Sequence, residues 1–141
     1  MSAHAFPSPE WVAAYGVAIN ASDGYRQASL QWTHGSVALI VAAHPEIGVT
    51  TPVGIWLDLD RGECREAKVV TADDAQNAAF VLTSEYRYWK QIIRKQLGPI
   101  AGIMQRKVGL KGSLPIVVRF IKSAEALVEA ATTVPTRFLD E

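Results

Sequence analysis

Cysteine is nearly missing from this chain of 141 residues: Cys64 stands alone. No disulfide can close within the chain, so the fold must hold without one, and a reducing compartment is expected. Histidine is almost as scarce. His4, His34 and His44 lie far apart and lack the spacing at which imidazoles share a metal ion. An excess of charge is also lacking, because fourteen lysines and arginines balance fourteen aspartates and glutamates. Without a net field there is no general attraction to nucleic acid. The longest apolar run, from Val37 to Ala43, falls well short of the roughly 20 residues that span a bilayer. The opening residues carry no basic stretch followed by an apolar segment, and Phe138 to Glu141 match no retention or peroxisomal signal. A cytoplasmic location is therefore expected.

Signatures of catalysis are missing as well. Ser36, Ser84, Ser113 and Ser123 are not framed by the glycines of a nucleophile elbow. Gly98, Gly102, Gly109 and Gly112 do not have the spacing of a phosphate loop. The stretch Asp58 to Glu63 lacks the third acidic position and the closing glutamate of a calcium loop, and its flanks alternate like strands. A charged hairpin turn is the better reading there. No enzyme activity, cofactor or metal is expected from the residues alone.

Apolar surface is what the chain does have. Hydrophobic residues make up 49% of it against 20% charged, and four tryptophans add large amphipathic rings. A chain of this length supports one core, expected over residues 9–134, with a flexible N-terminus at 1–8 and a tail at 135–141. Ser8 and Pro9 open a helix through Trp11, Val12, Tyr15 and Ile19, and Ser22 caps a shorter one. Period-two alternation then predicts strands from Val37 to Ala43, around Val53 to Leu59, and from Cys64 to Val70, the last two joined by a turn at Asp60 to Glu63. A polar connection at Asp73 to Asn77 leads to a strand at Ala79 to Thr83. Ser84 is expected to cap a helix carrying Tyr86, Trp89, Ile92, Ile93 and Leu97, stopped by Gly98-Pro99. A helical turn, a strand from Lys107 to Lys111 and one continuous final helix from Ser113 complete the chain. This order is not a regular β-α-β alternation, so the class is α+β.

Two basic groups stand out. Arg87, Lys90 and Arg94 share one helix face, where they could meet an anionic membrane surface transiently or simply face solvent. Arg106, Lys107 and Lys111 lie near the last strand, where exposure to solvent explains them adequately.

The segment from Pro99 to Phe120 resembles the closing part of the sterol carrier protein 2 (sterol-transfer) domain family. Met104 to Lys111 matches its helical turn and short strand, and Gly112-Ser113-Leu114 matches its Gly-Asp-Leu junction. The hairpin from Gly54 to Gly62 and the helix of Trp89 fall in the same order. Arg106 stands where glycine is frequent, and Ser113 replaces the usual aspartate. The resemblance implies a five-stranded, mostly antiparallel sheet with helices packed on one face and an apolar tunnel between them. Fatty acids, acyl-CoA, sterols or similar lipids would be its guests. By position its lining would come from Phe80, Leu82, Trp89, Ile93, Ile100, Ile103 and Met104, with Phe120 and Ile121 completing it. Two other readings stay open: an interaction module or accessory subunit of a partner enzyme, with a filled core, and an enzyme acting on an apolar substrate.

Overall fold

The structure, a computed structural model, describes residues 3–141. Alternation of side chains along the strands decides its layers. Strands β2 (Val37–Val41), β3 (Val53–Asp60), β4 (Glu63–Thr71), β5 (Phe80–Ser84) and β6 (Val108–Lys111) form one sheet in the order β4-β3-β2-β5-β6. Every pairing is antiparallel except β2 with β5, which run parallel. The β3–β4 hairpin turns through Arg61 and Gly62, both at positive φ (49° and 89°), a two-residue turn whose twist suits the flanking strands. A side chain at position 62 would meet the Arg26 carbonyl oxygen at 2.8 Å.

One face of this sheet carries α1 (Pro9–Asn20), α2 (Asp23–Ala28), α4 (Tyr86–Ile93), α5 (Pro99–Met104), α6 (Leu114–Arg119) and α7 (Ile121–Thr132). Ser8, Ser22 and Ser113 cap α1, α2 and α6, each Oγ accepting a backbone N–H three residues on. Helix α1 lies against β4 at Gly16, where an added Cβ would meet the Ala67 Cβ at 2.8 Å. Only glycine allows that approach. On the opposite face a single helical turn, α3 (Ala72–Ala75), covers Ala38, Ile40 and Val81 with the help of Ala78. The class and the mostly antiparallel sheet are those expected from the sequence, and α3 adds a small second layer where a polar connection is predicted. Thr71 starts it by accepting the Asp74 N–H at its hydroxyl.

Three further expectations are corrected. The ends at 1–8 and 135–141 are not loose over the described residues: β1 (His4–Phe6) pairs in parallel with β7 (Thr136–Phe138). Phe6 and Phe138 are buried, and the Phe6 carbonyl accepts the Tyr86 hydroxyl at 2.6 Å. Apolar burial at both ends, invisible to local periodicity, provides the reason; Met1 and Ser2 lie outside the described residues. Ser84 does not cap α4. It ends β5, buried, with its hydroxyl donating to the Lys107 carbonyl at 2.6 Å, and Glu85 precedes the helix instead. The final helix is broken at Phe120 (φ −100°, ψ 34°). The Phe120 ring packs edge-on against Trp32, 5.0 Å between centroids, and against His34 at 5.6 Å. The apolar spacing runs on through the break, so nothing in the sequence marks it.

Candidate ligand cavity

Between sheet and helices lies a hollow of about 130 Å³. Its floor follows from strand parity: Val37, Leu39 and Val41 from β2, Ile55, Leu57 and Leu59 from β3, Phe80 and Leu82 from β5, and Val108 from β6. Trp11, Tyr15, Tyr25 and Trp89 close it on one side. Ile100 and Ile103 of α5, Val117 of α6, and Phe120, Ala124, Leu127 and Val128 roof the other.

The burial pattern shows that the layer is not filled. Leu39 sits on the central strand beneath the helices, where a close-packed core covers a side chain completely, yet it is only half-buried, as is Leu82 beside it. Their neighbours Val37, Val41 and Phe80 on the same face are buried. The open side can be located in the same way. Phe6, Trp11, Tyr15 and Tyr25 are all buried, whereas Ile100, Ile103, Val117, Phe120, Ala124, Leu127 and Val128 are half-buried. The mouth therefore lies at α5, α6 and the start of α7.

The polar atoms of Tyr15, Trp89, Trp32 and Ser123 in the wall are engaged within the protein. The Tyr15 hydroxyl donates to the Leu127 carbonyl at 2.9 Å, and the Trp89 indole N–H to the Ile40 carbonyl at 3.0 Å. Trp32 donates to the Gly35 carbonyl at 2.9 Å. The Ser123 hydroxyl donates to the Ala28 carbonyl at 3.0 Å while accepting from Ser29 at 2.7 Å. The interior thus presents carbon and hydrogen to any guest. Among the lining residues the ionisable ones are Tyr15 and Tyr25. Burial pushes Tyr15 well above its ordinary value, with Tyr25 and Cys64 adding to the effect, and pushes Tyr25 up to about 12 against a smaller pull from Ser29. Both stay neutral phenols through the physiological range, so the wall holds no acid or base poised near neutral pH.

Seven of the nine residues expected to line a tunnel are brought together here: Phe80, Leu82, Trp89, Ile93, Ile100, Ile103 and Phe120. Met104 and Ile121 are not among them. Met104 ends α5, one helical step round from Ile103, and is 64% exposed; Ile121 starts α7 just after the break and is 40% exposed. Sequence reasoning missed the floor residues Leu39 and Leu57, Tyr15 on the closed side, and the roof residues Val117 and Leu127. The strand alternation around Leu39 and Leu57 was a usable signal once Phe80 and Leu82 had fixed which face looks inward.

The basic face of α4 is not free. Lys90 pairs with Asp140 at 2.8 Å and Glu141 at 2.7 Å, and Arg94 with Glu141 at 2.6 Å. Hydrogen bonds from Lys90 hold both carboxyls below their ordinary range, Arg94 adding at Glu141. Arg87 stacks on the Tyr88 ring and pairs with Glu85. Lys90 and Arg94, which the sequence places on a face that could meet a membrane or solvent, fasten the C-terminal segment.

The SCP-2 sterol transfer family matches residues 19–125, most of the chain. The chain belongs to that family. A sterol carrier protein 2 crystal structure superposes on this member with a TM-score of 0.84 and 32% identity, covering 90% of this chain and 97% of that one. A conserved hypothetical protein of Thermus thermophilus, described as a possible sterol carrier protein, gives a TM-score of 0.83 and 31% identity, with 92% and 90% covered. Sterol carrier protein 2 of Yarrowia lipolytica, in its apo form, shares the fold at a TM-score of 0.56 but only 12% identity, with 86% and 89% covered. No curated protein matches this SCP-2 family member significantly.

Proposed function

We propose that this SCP-2 family member binds and carries a hydrophobic guest, such as a fatty acid, acyl-CoA or sterol, in the hollow under α5, α6 and α7, without catalysing its conversion. The observation that carries the reading is the incomplete cover of Leu39 and Leu82 in the middle of the sheet, facing a carbon-lined space. Each methylene that leaves water for such a space contributes about 0.8 kcal/mol, so a chain of several methylenes binds firmly with no polar anchor. An apolar cavity of about 150 Å³ holds a benzene-sized molecule. At about 130 Å³ the hollow takes part of a longer guest as it stands, and α6, none of whose residues is buried, is the wall best able to give way. The wall carries no charged group and its indoles are internally bonded, so selectivity is expected to follow girth and length. The enzyme reading loses support for the same reason.

The test combines native mass spectrometry of the purified protein with titration of a fluorescent fatty-acid probe. A co-purifying lipid, and probe affinity weakened in a folded Trp89→Ala variant, support carriage. Repeated absence of any guest together with no probe binding would return the interior to the status of ordinary core and favour an interaction module.

A further inference from the structure

Helix α1 lacks the charged face that a surface helix carries. Beyond its first turn, the positions it leaves exposed or half-buried are Ala13, Ala14, Val17, Ala18 and Asn20. Val17, at 70%, is the most exposed large apolar side chain among the described residues. A helix that is apolar on all sides ordinarily lies covered. This one rests on β4, the strand that ends the sheet on the side away from α5 and β6. Gly16 sits on Ala67, and Asn20 reaches over the strand edge, where its amide accepts the Cys64 N–H and donates to the Cys64 carbonyl, both at 2.8 Å. Asn20 thereby takes the place of a neighbouring strand. At about 100° per residue, Asn20 lies about 40° and Val17 about 100° to the same side of Gly16, so Val17 projects past the edge of β4.

Beyond Cys64 that edge is open. The bonds from the Phe80 N–H to the Ser36 carbonyl and from the Ala42 N–H to the Ser84 carbonyl show that the even-numbered residues of β2 face β5. Its odd-numbered residues therefore face β3, and by the register the even-numbered residues of β3 face Lys68 and Val70 of β4. Ala67 and Val69 turn their peptide groups outward. No hydrogen bond reaches those groups among the described residues, and Val69 is itself 36% exposed. An uncovered strand edge invites another strand.

We propose that a second copy of this chain fills the edge, its β4 pairing antiparallel with this one about a twofold axis at Ala67, so that two sheets become one and the two α1 helices lie side by side at Val17. Charge selects the partner and the register. Glu66 and Lys68, which pair with each other at 3.1 Å within the strand, flank Ala67. A twofold axis at Ala67 sets each Glu66 opposite the partner's Lys68, whereas an axis at Lys68 would oppose two lysines. The apolar flank of α1 gains a matching surface of the same kind. Both cavity mouths stay open, because α5 and β6 stand at the opposite edge of each sheet. The proposal is independent of carriage, and its test needs no guest.

Sedimentation equilibrium of the full chain should give twice the chain mass of 15.3 kDa, falling to that mass on dilution. Hydrogen exchange should show the Ala67 and Val69 N–H groups protected in the dimer and released on dilution, while Lys68 and Val70, which face β3, stay protected throughout. Val69→Pro removes an N–H that β3 does not use, so the fold should survive and the dimer should not. Lys68→Glu opposes two glutamates and should weaken association roughly tenfold; adding Glu66→Lys restores opposite charges in this register and should recover it. Val17→Lys should weaken association too, whereas Arg106→Glu, beside β6, should not. A monomer at every concentration overturns the proposal and leaves the edge to a strand of another protein. A dimer that persists in Val69→Pro, or a charge swap that fails to recover what Lys68→Glu removes, overturns it as well. Should Val69→Pro misfold, the charge swap and the exchange of Ala67 and Val69 decide.

Discussion

Filling the hollow separates a ligand cavity from an ordinary core. Leu39 is the place to do it, because it lies on the central strand opposite Ile55 and Leu82, with open space above it. A void of about 130 Å³, at about 24 cal/mol per Å³, represents about 3 kcal/mol of packing forgone. If the indole of Leu39→Trp occupies half of that space, about 1.5 kcal/mol returns. At about 2–4 °C per kcal/mol, the melting temperature should rise by about 3–6 °C. In a layer already filled, the same substitution would overpack it and cost about 1–3 kcal/mol. Binding should move the other way. Displacing three methylenes of a fatty-acid probe, at about 0.8 kcal/mol each, weakens its affinity about 50-fold. Calorimetry and probe fluorescence on the same preparation read both effects. Ile19→Ala is the control: Ile19 is fully buried on α1 but outside the cavity wall, so its loss should cost about 2–5 kcal/mol and leave the folded protein's probe affinity unchanged. A lower melting temperature in Leu39→Trp with undiminished probe binding would refute the hollow as the binding site.

Two other outcomes follow from the ionisable groups. Burial pushes the Cys64 thiol up to about 11, against a smaller pull from backbone hydrogen bonding at Glu66, so the folded protein should react with maleimide far more slowly at neutral pH than a free thiol; labelling at the rate of the unfolded chain would contradict this. The depressed carboxyls of Asp140 and Glu141 stabilise the docked C-terminal segment above the ordinary carboxylate range, and that contribution is lost as pH falls through their lowered values, below about pH 4. The Leu139 N–H, which donates to the Tyr86 hydroxyl at 2.9 Å, should lose hydrogen-exchange protection there before the sheet does; equal protection of both at low pH would contradict the linkage.

Much of the fold was legible because it is local. Serine caps and Pro9 start helices, period-two alternation marks the strands, and Arg61-Gly62 makes the hairpin turn. Seven wall residues could be named from the family resemblance, since strand parity and helix spacing carry them inward. The features that stayed hidden depend on distant partners. Phe6 is apolar whether it is loose or buried, and only β7, more than a hundred residues on, decides which. Ser84 has the composition of a cap, but the Lys107 carbonyl claims its hydroxyl. Met104 and Ile121 have the spacing of core residues, and only the end of α5 and the break at Phe120 turn them outward. The ion pairs of Lys90 and Arg94 link residues about fifty positions apart, beyond the reach of any helix-face argument.

The parallel pairing of β1 with β7 has a mechanical consequence. A pull that enters the chain at His4 and leaves beyond Phe138 runs along the two strands in opposite senses, so their hydrogen bonds are loaded together in shear rather than peeled one at a time. This short ladder, backed by the wedged rings of Phe6, Trp11 and Phe138, is placed to act as a latch: tension on the ends must break it before any load reaches the sheet that carries the hollow.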